Sequence, residues 1–539
     1  MLHGRVSVGR RSAAVGREEQ QTGGRGGSMP GRVWRALNGP AGTREYTLTR
    51  WLFLRGLGVV YLVAFASLWE QVLGLIGSNG ILPAKDFLFA VEASGHPDRF
   101  RLVPTLGWLN SSDDFLLFLC WGGVALSVML ILGVLPGPVL ALLWGFYLSL
   151  VSLGQDFLSF QWDALLLETG FLAIFFAPLQ LWWGVPREVP PSRAVLWLLR
   201  LLLFRLMFFS GVVKLASGDP TWHGLTALDF HYWTQPLPNP LAWYMHQLPT
   251  QFHQLSTALT LAIELGAPFL IFGPRRVRLL GAALLVGLQV IIMLTGNFAF
   301  FNILSIVLCV PLLDDGMVER FLPESVRARV GEPVRRRPLW LLPRRLVTVP
   351  LAALILTLTW VQVQSSYFRR TNVPDPVYDF AVRMAPLQVV NSYGLFAVMT
   401  TTRPEIVVEG SADGKTWVEY EFKHKPGDLD RMPRGVAPHQ PRLDWQMWFA
   451  ALSGPTYNPM SSNWFGLFMR RLLEGSPEVL DLLGKNPFPD KPPRYVRAQV
   501  YRYTFTGFGE SGWWRRELRG DYFPVSTLNS LRQQREILP

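Results

Sequence analysis

Ionisable side chains stand inside long apolar runs of this chain: Arg55, Glu70, Asp163, Glu168, Arg200, Arg205 and Glu264, with Lys214 at the end of another run. A charge in an apolar medium is costly, so each such residue points either to function or to an ion pair that holds the structure in register. Arg205 has Glu168 and Glu264 as partners to choose between. A lysine kept from water has its pKa lowered and can serve as a base. Lys214 is the residue best placed for that, against the plainer reading of an ammonium reaching the membrane interface. Directly after it runs a polar, aromatic and proline-rich linker that ends Asp229-Phe-His-Tyr-Trp-Thr-Gln-Pro-Leu-Pro-Asn-Pro240. The linker carries Asp219, Trp222, His223, Asp229, His231, Tyr232, Gln235 and Asn239, far more than a turn needs. We read it as a site on the outer face of a membrane protein. Asp229-x-His231 is not a metal-ligand spacing, so no metal is expected, and no other cofactor is implied by a fingerprint. No Gly-x-Ser-x-Gly elbow, phosphate loop or dinucleotide motif stands where it would matter.

The elements that must position these residues are apolar helices. Half of the 539 residues are hydrophobic and 17% are charged. The average hides a split between an apolar part and a part that reads as soluble. We expect a disordered basic segment at 1–45, a polytopic α-helical bundle over 46–362 with its outer-face loop at 214–250, and a soluble β-rich domain over 363–539. About nine spans are expected, near 51–76, 115–134, 137–153, 161–181, 194–213, 253–273, 277–296, 298–313 and 345–362. No apolar segment of signal-peptide type follows the basic start, so export must depend on the first span.

The net charge of +12 does not read as a nucleic-acid footprint. The arginines collect in the first fifty residues, at Arg275, Arg276 and Arg278, and at Arg335, Arg336, Arg337, Arg344 and Arg345. That is the positive-inside pattern, with membrane lipids as the partner. With a basic inner amino terminus, nine spans place the carboxyl-terminal domain outside. Both cysteines, Cys120 and Cys309, lie in apolar runs without a Cys-x-x-Cys, which excludes thiol–disulfide catalysis. Asn110-Ser-Ser112 is a glycosylation sequon, relevant in a eukaryotic secretory host.

In the last part, Glu405–Gly410, 417–423 and 495–506 alternate as half-buried strands, the first two joined at Asp413-Gly414. Helical segments fall near 442–452 and 464–484. The expected fold is an antiparallel β-sandwich-like domain with helical insertions. Arg442-Leu-Asp-Trp-Gln-Met-Trp-Phe449 holds Arg442, Asp444, Trp445 and Trp448. Its aromatic density suits a core helix or a protein-docking face.

Several of these stretches resemble the lipase maturation factor family: Gln161-Trp-Asp163 with Leu167-Glu-Thr-Gly-Phe171, Lys214 with Gly218-Asp219 and Trp222, and the linker from Asp229 to Pro240. So do Asn391-Ser-Tyr-Gly-Leu-Phe396, Arg403-Pro-Glu405, Glu409-Gly-Ser411, Arg442–Phe449 and Asn486-Pro-Phe488. The resemblance runs from about residue 45 to 525. It implies an integral membrane factor that assists folding and assembly of secreted proteins such as lipases. In a eukaryote its place is the endoplasmic reticulum membrane; for a bacterial chain it would be the cytoplasmic membrane. A shorter likeness, Gly211-Val-Val-Lys-Leu215, is to the vitamin K-dependent gamma-carboxylase and its bacterial transmembrane relatives. It implies an intramembrane enzyme of quinone chemistry with Lys214 as base. The first reading, not an enzyme, covers far more of the chain. The binding candidates are thus Asp163, Glu168, Asp219, Trp222, Asp229, His231, Tyr232, Gln235, Asn239, Glu264, Arg442, Asp444, Trp445 and Trp448.

Overall fold

The computed structural model describes residues 46–178, 191–321, 324, 341–367 and 372–537. The segment expected to be disordered, 1–45, lies outside the described residues, as do Arg335, Arg336 and Arg337 and the end of the span expected at 161–181. Among the described residues, six helices are long and apolar enough to cross a membrane. They are α1 (Thr47–Trp69), α2 (Asp113–Leu132), α3 (Pro136–Leu153), α5 (Arg193–Ala216), α8 (Arg275–Thr295) and the stretch Arg345–Tyr367 of α10 (Leu341–Tyr367). Three further expected spans form helices that do not meet that measure: α4 (Gln161–Phe176), α7 (Thr250–Leu270) and α9 (Phe301–Cys309). The reason is local. Helix α4 is 16 residues and α9 is 9 residues long. Helix α7 opens on Thr-Gln-Phe-His-Gln and carries Glu264.

Turn chemistry sets the ends. Ser112 caps α2 by accepting from the Phe115 N–H at 3.3 Å. Gly133 closes it in the left-handed region at φ 86°, where a side chain would be strained, and Pro136 starts the next helix. The first span ends at Trp69, earlier than expected, and a short helix follows over Val72–Ile76. Helix α1 packs on α2, α5 on α7, and α7 on α8, so α7 sits in the wall between the two spans that flank it.

The carboxyl-terminal part contains antiparallel sheets. Strands β1 (Arg403–Ser411), β2 (Val418–Glu419), β5 (Tyr495–Phe505) and β6 (Trp514–Ser526) form one sheet in the order β2-β1-β5-β6. Strands β3 (Glu421–Phe422) and β4 (Leu483–Lys485) form a second. The single strand expected at 417–423 is therefore broken. Tyr420 donates its N–H to Val408 at 2.9 Å, and the chain then leaves β1 for β4. Helices α11 (Arg442–Leu452) and α12 (Pro459–Glu474) lie between the strands in sequence. The helix expected over 464–484 ends at Gly475, in the left-handed region at φ 70°. Strand β6 was not expected: Trp-Arg-Arg-Glu-Leu-Arg-Gly-Asp lacks the apolar alternation of a half-buried strand, because β6 is a sheet edge.

The two ends of the sheet are covered on opposite faces. At the start of β5, Val496, Ala498 and Val500 are buried in the main core with Phe465 and Phe468 of α12. At its end the other parity, Tyr503 and Phe505, is buried against Trp514 and against Trp233 and Trp243 of the linker. The linker thus lies between the sheet and the helices.

Candidate functional site

Helix α4 presents two carboxylates on opposite sides of one turn-and-a-half, and the carboxyl-terminal part of the chain meets both. Asp163 takes a bidentate pair from Arg442, each nitrogen at 2.8 Å. The Tyr147 hydroxyl donates to Asp163 at 2.5 Å, and Arg442 also donates to the Phe157 carbonyl at 2.7 Å. Glu168 pairs with Arg205 at 2.6 Å through one oxygen. Its other oxygen accepts from the Tyr393 hydroxyl at 2.7 Å and the Asn391 N–H at 2.9 Å. Both carboxylates are fully buried. Of the two partners open to Arg205 in the sequence, the structure selects Glu168. The planar guanidinium of Arg442 suits the two-oxygen geometry, which a lysine could not reproduce.

Trp445, next to Arg442, docks edge-on against Trp162 with ring centres 4.7 Å apart, and Trp162 stacks on Phe160. Asp444 points back into the carboxyl-terminal part, where it accepts the N–H groups of His424 and Lys425 at 2.8 Å. The segment Arg442–Phe449 is thus both a core helix and a docking face, and what it docks on is this chain's own bundle.

The linker is pinned from both sides. Asp219 accepts from Thr221 N–H with one oxygen and from Met399 N–H with the other, both at 2.7 Å. The Trp222 indole donates to the Phe396 carbonyl at 3.0 Å. Asp229 meets His253 at 2.7 Å. Gln235 and Asn239 donate to the Thr295 and Leu294 carbonyls, each at 2.9 Å. Trp448 donates to the Thr234 carbonyl at 2.9 Å. The fully buried Arg403, paired with Glu405 at 2.7 Å, reaches the carbonyls of Trp233, Gln235 and Pro236. Asn297 takes the same part further on: it accepts from Val436 N–H and donates to the Leu237 and Arg434 carbonyls. Arg403 and Tyr393 appeared in the sequence only inside resembling motifs, and Asn297 carried no signal there. A buried arginine reading three carbonyls leaves no spacing pattern.

Five candidates face a cavity. Lys214, Trp222, His231, Tyr232 and Glu264 line a space of about 390 Å³ between α5, α7, α8 and the linker. The Lys214 ammonium sits between both Glu264 oxygens, at 2.8 and 2.9 Å, and donates to the Ser210 carbonyl at 3.2 Å. Asp163 and Glu168 do not reach this cavity. His231, desolvated by burial and near the Lys214 charge, is pushed down to about 4 and is neutral at pH 7. Its ring packs edge-on against Phe396, centres 5.0 Å apart, and Phe396 packs likewise against Phe298. Beyond that wall lies an outer groove of about 640 Å³ that shares Phe298, Phe396 and Met399 with the cavity and adds Trp445, Trp448 and Phe449. Among the described residues no group of three or more His, Cys, Asp and Glu is placed to hold a metal.

This arrangement can be set beside known proteins. A family model described as the lipase maturation factor transmembrane domain matches residues 48–320, and one described as the lipase maturation factor C-terminal domain matches 389–524. The chain is 40% identical to Lipase maturation factor 2 of Gallus gallus, over 88% of this chain and 81% of that protein. The chain belongs to the lipase maturation factor family. Other members include Lipase maturation factor 2 of Homo sapiens, 39% identical over 90% of this chain and 83% of that protein. Lipase maturation factor 1 of Homo sapiens is 37% identical over 92% and 91%. No solved structure matches. With its apolar helices and this membership, the chain is a multi-pass membrane protein. The joints at Asp163 and Glu168 bring together residues from both of the segments that the two lipase maturation factor models match.

Proposed function

We propose that this protein is an integral membrane maturation factor that assists the folding and assembly of secreted lipases. The observation that carries the reading is the family match across both halves of the chain. Helices α4, α7 and α9 complete the crossings to about nine, and the arginine clusters keep their loops inside. The carboxyl-terminal domain, with its sandwich-like layering, then faces the lumen of the endoplasmic reticulum in a eukaryotic host, or the outside of the cytoplasmic membrane in a bacterial one. Clients meet it there. The rim of the outer groove supports this: Phe449, Val398 and Leu452 are exposed apolar side chains beside buried Trp445 and Trp448. Asp163, Glu168, Asp219, Trp222 and Arg442 act in this reading by holding the outer domain on the rest of the chain, Asp229, Gln235 and Asn239 by holding the linker on α7 and α8, and Asp444 by bracing the outer domain internally.

The intramembrane-enzyme alternative has no observation in its favour, since both oxygens of Glu264 engage Lys214. The test is co-expression with a secreted lipase in cells that lack their own maturation factor. Secreted lipase activity should rise with the wild-type chain and fall with a Phe449→Asp, Val398→Asp double variant that is expressed normally. Equal activity with and without the wild-type chain would sink the proposal.

A further inference from the structure

The cavity beside Lys214 is not needed to hold the outer domain in place. Its walls are apolar along most of their length: Leu206, Leu288, Ile263 and Phe301 are among them. About 390 Å³ falls within the range of about 300–1,000 Å³ typical of small-molecule sites. Its mouth faces sideways. Leu255 and Leu259 of α7 and Ile291 of α8 line it, and all three are more than half exposed on the outer surface of the bundle. On α8, a helix long and apolar enough to cross the membrane, that surface meets acyl chains.

The inner end is polar but carries no free charge. Lys214 and Glu264 neutralise each other at 2.8 Å. The His231 ring makes no hydrogen bond among the described residues, although it lines the cavity. A buried polar group left without a partner costs stability, so a ligand that supplies one is favoured. An ionic headgroup would have to break the Lys214–Glu264 pair to gain a counter-charge, which a neutral one need not do.

We propose that this cavity binds one neutral acyl lipid, drawn from the bilayer between α7 and α8, with its ester or hydroxyl end hydrogen-bonded at His231 and its chain along the apolar walls. A neutral acylglycerol meets both requirements. A fatty-acid anion meets only the second.

The experiment uses the full-length protein in nanodiscs of phosphatidylcholine and two photoreactive probes of equal chain length, a diazirine monoacylglycerol and the corresponding diazirine fatty acid at pH 8. Labelled peptides are read by mass spectrometry. The monoacylglycerol should label peptides from 252–264 and 286–295 and be displaced by unlabelled monoacylglycerol. Thr260→Phe, which fills the cavity, should abolish that labelling while leaving background labelling of the exposed face of α2 unchanged. His231→Phe should lower it by roughly three- to tenfold, the loss of one hydrogen bond. Should Thr260→Phe disturb folding, Ser256→Phe fills the same space from one turn earlier. Labelling that resists competition and both filling variants would mark ordinary boundary lipid and overturn the proposal. So would equal or stronger displaceable labelling by the fatty acid. Neither result bears on lipase maturation, which the co-expression assay reads separately.

Discussion

Helix α4 and helix α7 each bury carboxylates against cations, yet the surroundings differ. On α4, Asp163 and Glu168 are matched by Arg442, Asn391 and Tyr393, which arrive from more than two hundred residues away and, together with Arg205, close every oxygen. On α7, Glu264 is matched by Lys214 of the neighbouring helix α5, and the pair borders open space. The first arrangement fastens two parts of the chain together. The second leaves a chamber whose polar end is electrically balanced. Residue type alone does not separate them; what stands on the far side of each carboxylate does.

The contrast can be broken hardest at Arg442. Arg442→Met strands Asp163 in the core, and breaking one side of a buried pair costs about 3–5 kcal/mol. Thermal unfolding in detergent should show a large fall, and limited proteolysis should release the outer domain. A melting temperature within error of wild type would refute the fastening role. Glu168→Gln keeps the shape but weakens charge-assisted bonds from Arg205 and Tyr393, so a loss of about 1.5–3 kcal/mol is expected in the same assay.

The cavity pair should behave in the opposite sense. Lys214→Met with Glu264→Leu removes both charges at once, and such replacements are often neutral or stabilising. The double variant should melt at or above the wild-type temperature, whereas Lys214→Met alone should melt below it. If the double variant lost as much as Arg442→Met, the two arrangements would be equivalent.

The smallest effect is acid sensitivity of the carboxyl-terminal part. Burial, with the nearby Arg434, Lys423 and Arg431, lowers His424 to about 4. A histidine whose folded pKa is depressed binds its proton more readily when unfolded, so stability is retained above about 6.5 and is lost as pH falls from there towards 4. His424→Gln should flatten that part of the melting profile, and an unchanged slope would remove His424 as the cause.

Much of the membrane half was legible because span length follows from bilayer thickness. The ionisable residues inside apolar runs were legible for the same reason: their cost demands a partner. Which partner was not, because Arg442 and Asn391 approach α4 through tertiary folding that no spacing encodes. In the outer domain the β1–β2 turn at Asp413-Gly414 could be read, with Gly414 at φ 76°. The break at Tyr420 could not, since alternation is the same whether a strand keeps one neighbour or changes it. The linker between Lys214 and Pro240 was visible as too polar for a turn. Its polar groups turned out to be spent largely on backbone carbonyls and N–H groups, where Asp219, Gln235 and Asn239 each hold two.

Arg403 grips three carbonyls of a segment made some 168 residues earlier in the chain. During synthesis that segment emerges from the ribosome long before its arginine does. The membrane half must therefore wait, with unclosed peptide groups and with Asp163 lacking its cation, until translation has passed residue 442. A premature stop anywhere between 320 and 442 should thus behave as a failure of the entire polypeptide, cleared by quality control, and not as a half-working bundle.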